Sequence, residues 1–417
     1  MAGLFQFGRS CVLAFNENQI ILLLLLLVQS PSIAMGEDWP NWRGPARNGI
    51  STERQWQHTW PVDGPAILWK ASVGIGFSSV TVADGRLYTM GNSDEHDTVY
   101  CLDARTGTVI WKHTYECPLD NRFFEGGPTS TPTVDNDRVY SFSRQGDLYC
   151  LDARTGQIHW SKNVQQEADV RIPGWGFASS PMIHNDQLIL NIGEAGLALD
   201  KNSGKVVWKS GDGEAGYMTP HRLKIGNRWF ALIASGKFYQ CVDLESGKVV
   251  WKHRWLTTNG CNAADPIVHQ DQVFISSGYG RGAALLAVTD TAANVLWNNI
   301  EMQNQLNSSV SVDGHIYGFD GDEGGEVHLK CLEFSSGEVR WRYPGLGAGS
   351  LMVADNHLII LSEAGELSVA PVSSTLFAPT AKAKILDGKC WTVPVLSNGM
   401  IYCRNASGEL VCVNVTL

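Results

Sequence analysis

From about residue 65 onward the chain is dominated by short runs in which apolar and polar residues alternate, and these runs come in pairs around two-residue turn signals. The dipeptides Asp84-Gly85, Asn136-Asp137, Asn185-Asp186, Gly226-Asn227, Gln270-Asp271, Asp313-Gly314, Asp355-Asn356 and Asn398-Gly399 recur at spacings of about 41 to 52 residues. Flanking runs such as Val80-Thr81-Val82 and Leu87-Tyr88 suit a pleated, half-buried strand. Asn, Asp and Gly tolerate positive φ, so each unit is predicted to open with a tight hairpin.

A second pattern follows each hairpin, seen in CLDARTGTVIW, CLDARTGQIHW, LALDKNSGKVVW, CVDLESGKVVW and CLEFSSGEVRW. Asp103, Asp152, Asp200 and Asp243 can accept backbone hydrogen bonds from the turn they open, and Gly107, Gly156, Gly204 and Gly247 supply the left-handed residue that closes it. Trp111, Trp160, Trp208, Trp251, Trp297 and Trp341 recur eight residues after the Asp position and are expected to end a fourth strand, each filling the wedge between neighbouring units. A ring repeated at the same place in every unit is better explained by packing than as a ligand platform.

Four short strands per unit, repeated eight times, predict an all-β fold: an eight-bladed β-propeller of four-stranded antiparallel blades. The eighth unit runs through GMIYC and GELVCVNV and lacks a fourth strand. The missing piece appears near the start, where Ile67 to Lys70 (ILWK) places Trp69 in the expected position. The ring is therefore predicted to close by pairing of this N-terminal strand with the last blade, which removes exposed sheet edges. The seventh unit departs from the pattern, with neither a Thr-Gly turn nor a Trp in VAPVSSTLFAPTAKAKIL.

Ahead of the repeats, Arg9 precedes an apolar run from Ile20 to Val28 and then Ser32-Ile33-Ala34, so residues 1–34 read as a secretory signal peptide. The run is too short for a membrane span of roughly 20 residues, and Cys11 precedes it, away from a lipid-attachment position. The expected organisation is 1–34 signal, 35–64 an N-terminal extension packed on the propeller and 65–417 the propeller, placed in the periplasm or another extracytoplasmic space.

With 42 acidic and 32 basic residues the net charge is −10. Lys and Arg do not cluster, so a nucleic-acid partner is not expected. Cys101, Cys150, Cys241, Cys331 and Cys412 share one repeat position that Ala198 fills once, which marks a small buried side chain rather than a disulfide partner. Cys390 and Cys403 flank the Asn398-Gly399 turn out of register and are not expected to bond.

The run GDLYCLDARTGQIHW resembles the repeat of pyrroloquinoline-quinone (PQQ)-dependent alcohol dehydrogenases and of the outer-membrane assembly lipoprotein that shares their propeller. WPNWRGPARNGIS, FFEGGPTSTPTV, GWGFASSP and FISSGYGRGAALL are similar to a family of exported PQQ-like propeller proteins, and the resemblance runs from about Trp39 onward. In the dehydrogenases a tricarboxylated quinone works with bound Ca²⁺, a carboxylate base, an aromatic floor and a ring of adjacent cysteines. This sequence has no Cys-Cys pair and no CxxCH haem motif. Recognisable hydrolase, metalloprotease, nucleotide-loop and EF-hand motifs are missing too.

A ligand is expected at the mouth of the central channel, fed by loops that join one blade to the next. Those loops hold Glu125, Arg171, Trp175, Glu214, Tyr217, Asn259, Asn262, Asp265, Asn307 and Trp391. Asn262 and Asp265 are of the type that coordinates Ca²⁺, Arg171 could face a carboxylate, and Trp175 or Trp391 could stack on a planar ring. The sequence points first to a noncatalytic binding or scaffold propeller, monomeric, recognising an envelope protein, peptide or other ligand. The competing reading is a PQQ- and Ca²⁺-dependent quinoprotein oxidoreductase. A third, resting on analogy, is assembly of outer-membrane proteins by strand addition.

Overall fold

The computed structural model describes residues 36–417 except Asp212; the expected secretory segment, residues 1–34, lies outside the described residues. Eight antiparallel sheets follow in sequence: blade I at 81–116, II at 133–163, III at 182–209, IV at 221–254, V at 267–299, VI at 310–344, VII at 350–384 and VIII at 395–414. The eight expected hairpin turns join the first and second strands of these blades. Asp84, Asn136, Asn185, Gly226, Gln270, Asp313, Asp355 and Asn398 all take positive φ there.

Blade VIII supplies three strands of its own, and Ala66–Ser72 is its fourth, antiparallel to Glu409–Asn414 from Ala66 opposite Asn414 to Ser72 opposite Glu409. Lys70 meets Glu409 at 2.7 Å on this seam.

The repeated Trp follows one rule around the ring. In blade I the register slips between Val109 and Trp111, so that Trp111 lies opposite Cys101. The same bulge places Trp160 opposite Cys150, Trp208 opposite Ala198, Trp251 opposite Cys241, Trp341 opposite Cys331 and Trp69 opposite Cys412. This is why the repeat position of the cysteines accepts only a small side chain in these blades. Blade V instead puts Leu285 opposite Trp297.

Each indole crosses to the next blade. Trp69 Nε1 donates to the Ala104 carbonyl, Trp111 to Ala153, Trp160 to Lys201 and Trp208 to Leu244, at 2.9–3.1 Å. Trp251, Trp297 and Trp341 donate to Thr289, Phe334 and Ser373 in the same way. The ring also covers the glycine of the neighbouring turn: a Cβ on Gly156 would lie 2.7 Å from Trp111, and one on Gly247 2.6 Å from Trp208. Gly is thus required there twice over, by its φ near +70° and by the indole above it. The fourth strand continues past the Trp, as far as Glu116 in blade I, because residues 111–116 go on pairing with the third strand back to His96. The Trp therefore stands near the beginning of that strand, not at its end.

Blade VII keeps a fourth strand, Ala381–Lys384, without the bulge and without the Trp. The core lies between blades. One cluster joins Tyr140, Phe142 and Leu148 of blade II to Leu188, Leu190 and Leu199 of blade III. The nine cysteines among the described residues are free and buried, and burial pushes the Cys101 and Cys412 thiols up to about 12.

Candidate functional site

The inner ends of the blades meet around the axis through a relay of hydrogen bonds. The Ser79 N–H donates to Thr131 Oγ1, Thr131 N–H to Ser180 Oγ, and Ser180 N–H to Thr219 Oγ1. Thr219 N–H then donates to Asp265 Oδ1 at 2.9 Å and Asp265 N–H to Ser308 Oγ at 2.8 Å. Small hydroxyls fit where blades converge, so Asp265 stands out as a carboxylate in a hydroxyl's place.

Residues 37–57 cover one end of this axis. Trp39 exchanges backbone bonds with Val82 of blade I, and the Pro40 carbonyl accepts from Val134 of blade II. Ile50–Ser51 pairs in parallel with Val353 and Ala354 of blade VII. Glu53 accepts from the N–H groups of Asn398 and Gly399 in blade VIII. Arg43 reaches the Ser309 carbonyl at 2.6 Å and Arg47 the Asn41 side chain at 2.7 Å. Both guanidiniums are buried, which lowers their pKa values, that of Arg47 to about 9. Between these residues Trp42 projects along the axis, and its Nε1 donates to Asp265 Oδ2 at 2.6 Å. Burial raises the Asp265 pKa, and the Arg43 charge and the Trp42 bond oppose that rise.

Trp42 and Asp265 form the floor of a funnel that opens at the other end of the axis, enclosing a cavity of about 190 Å³. That is room for one side-chain head group or a small ring. Its wall is a belt of aromatic rings. Phe77 stacks on Trp391 at 5.3 Å between centroids and meets Phe124 at 5.6 Å. Trp175 meets Phe123 at 5.8 Å and Tyr217 edge-on at 5.5 Å. Tyr279 continues the wall, and its hydroxyl accepts from Gln305 Nε2. Arg144 supports two of these loops from below the surface, donating to the carbonyls of Trp175 and Leu119.

Of the residues expected at the mouth, Trp175, Tyr217, Asp265, Asn307 and Trp391 line the cavity together. Asn262 is wholly buried beside it and acts as a post: its amide donates to the carbonyls of Ser235 and Trp255, and its oxygen accepts from Ser277. Arg171 is exposed and is not among the lining residues. Glu125 pairs with Lys389 at 2.9 Å on the rim. The contributors not anticipated from the sequence include Trp42, which comes from the extension, the rings of Phe77, Phe123 and Phe124, and Tyr279 and Glu323, which come from loops joining second and third strands.

The donor set does not fit a tricarboxylated quinone held with calcium. The lining residues include Asp265 and Glu323 but neither Lys nor Arg. Both Asp265 oxygens and the Asn262 oxygen already accept protein hydrogen bonds. Among the described residues no group of three His, Cys, Asp or Glu is placed to hold a metal ion. Cys261 also lines the funnel, but burial raises its thiol to about 11, so it is protonated at neutral pH.

Solved structures share this architecture. BamB from Moraxella catarrhalis is similar at 16% identity and a TM-score of 0.62, over 84% of this chain and 99% of that one. The quinohemoprotein alcohol dehydrogenase ADHIIG from Pseudomonas putida HK5 is similar at 13% identity and a TM-score of 0.68, over 91% and 80%. A europium-containing methanol dehydrogenase is similar at 11% identity and a TM-score of 0.68, over 90% and 89%. At such identities the likeness is one of fold. Among curated proteins none matches. The family model described as outer membrane protein assembly factor BamB matches residues 51–127 and 95–343. The chain therefore belongs to the outer membrane protein assembly factor BamB family.

Proposed function

We propose that this chain is an exported, noncatalytic binding propeller of the periplasm or another extracytoplasmic space, and that it recognises a protein or peptide partner through its aromatic funnel. The observation that carries this reading is the funnel itself: a side-chain-sized cavity walled by rings whose loops a rigid scaffold holds apart. Its ionisable groups are poorly suited to catalysis. Asp265 is tied to Trp42 and Thr219, the Cys261 thiol is protonated, and Glu323 stands without a side-chain partner among the described residues. The family's description as an assembly factor favours a protein partner. Among the described residues no helix is long and apolar enough to cross a membrane.

The test is capture of envelope proteins on immobilised wild-type protein and on Phe124→Ala and Trp391→Ala variants, alongside addition of PQQ, Ca²⁺ and an alcohol with a redox dye. Funnel recognition predicts partner capture that both variants weaken. Dye reduction that depends on PQQ would overturn the noncatalytic reading, and capture indifferent to both variants would move the binding surface elsewhere.

A further inference from the structure

The chemistry of the funnel points past the question of whether it binds to what it selects. Its wall presents π faces and edges from Phe77, Phe123, Trp175, Tyr279 and Trp391. Aromatic faces carry negative quadrupole potential and attract a desolvated cation. The rim already shows the preference at work, since the Lys389 ammonium lies 4.1 Å from the Trp391 ring centroid while it pairs with Glu125.

The charges around the mouth have the same sense. Glu125, Asp322, Glu323 and Glu363 gather there, and burial first and then this company of carboxylates raise the Glu323 pKa against the pull of Lys389. Three of the four are committed. Glu125 holds Lys389, Asp322 accepts from the Tyr279 N–H, and Glu363 accepts from Trp391 Nε1 and the Ala348 N–H. Glu323 alone both lines the cavity and keeps a carboxylate with no side-chain partner among the described residues. An anionic head group would meet Asp265 below and Glu323 beside it, with no cation in the lining to receive it. A cationic one would meet ring faces and one free carboxylate.

We propose that the funnel is a cation-selective aromatic cage that takes the guanidinium or ammonium of an Arg or Lys side chain on a partner polypeptide, with Glu323 as its counter-ion. This rests on the funnel being the ligand site. The cavity admits the head group of one such side chain and leaves the partner's backbone across the rim, where Phe123 is exposed.

Three pentapeptides that differ only at the central residue, arginine, its neutral isostere citrulline or glutamate, separate charge from shape; tetramethylammonium is the fourth probe. Saturation-transfer NMR on wild type and on Glu323→Gln and Trp175→Ala variants reads each one. The arginine peptide is expected to bind about tenfold tighter than the citrulline peptide, the ratio that one desolvated cation–aromatic contact supplies. Glu323→Gln removes the counter-ion but keeps the rings, so it should narrow that ratio to about threefold and leave citrulline binding unchanged. Glu323 is exposed and its carboxylate bonds to no other side chain among the described residues, so this variant is expected to fold.

Equal binding of the arginine and citrulline peptides, both lost in Trp175→Ala, would overturn the cation preference and leave the funnel as the site. Binding of any peptide that ignores Trp175→Ala would instead remove the funnel itself. Saturation by tetramethylammonium without the arginine peptide would overturn the partner side chain as occupant, and silence of every probe would overturn the cage.

Discussion

Trp42 and Asp265 stand 223 positions apart in the sequence, yet the indole Nε1 of one lies 2.6 Å from Oδ2 of the other at the centre of the ring. Replacing Trp42 by Phe removes the donor and leaves a buried carboxylate oxygen short of a partner. The expected loss is about 1–3 kcal/mol of unfolding free energy, read as a lower midpoint in urea at unchanged slope. An unchanged midpoint would mean that the covering segment adds nothing to the stability of the ring.

Two glycines separate backbone strain from crowding. Gly226 takes φ +58° with nothing within 4 Å of where a Cβ would stand, whereas Gly156 takes φ +72° with Trp111 2.7 Å from that position. Gly226→Ala should cost about 1 kcal/mol, the penalty of a left-handed conformation for an L residue. Gly156→Ala should cost at least about 2 kcal/mol more, since overpacking adds to it. Equal thermal shifts in the two variants would contradict the packing role assigned to the indole.

The inter-blade hydrogen bond of the repeated Trp can be isolated at Trp208. Trp208→Phe keeps a ring over Gly247 but strands the Leu244 carbonyl, for an expected loss of about 1–2 kcal/mol. Trp208→Ala also empties the wedge and should cost about 3–5 kcal/mol. Denaturant titration of both variants gives the split, and similar losses would assign the whole contribution to packing.

Asp97 predicts a pH dependence. Its Oδ1 accepts from Asn92 at 2.8 Å, while Oδ2 is buried without a partner. Burial raises its pKa from 3.8 to about 6. The folded state thus holds this proton more tightly than the unfolded chain does. Stability from this group is fully present below pH 3.8 and is lost as pH rises through about 6. Asp97→Asn should flatten the stability profile across that window, and a variant profile parallel to wild type would contradict the assignment.

Much of the architecture is legible in the sequence because it rests on local chemistry repeated eight times. A positive-φ turn at Asn185 or Asp313 and an Asp152 that caps its own turn are short-range events. The bulge that sets Trp160 opposite Cys150 follows the same repeat. Trp69 is readable as a completing strand because one blade is visibly short of one. The site is another matter. Trp175 and Trp391 lie in loops whose place at the axis follows from the repeat. Tyr279 and Glu323 sit in hairpins that vary from blade to blade, and Gly-rich surroundings disguise Tyr279 as an ordinary turn. Trp42 belongs to a segment outside the period, so nothing local announces that it threads the ring.

The seam between Ala66–Ser72 and Glu409–Asn414 also says something about how the molecule is made. A chain that emerges in order displays residues 66–72 as a bare edge until residues 409–414 appear. The loop this pairing closes spans almost the whole ring, so its entropy is recovered only in the last step. An arc of finished blades that still carries residues 66–72 unpaired, beside a last blade short of its outer strand, must therefore survive for the interval. In a crowded compartment such an arc is prone to pair with its neighbours, and a holding factor that shields those edges, rather than one that speeds any single blade, would do most for its yield.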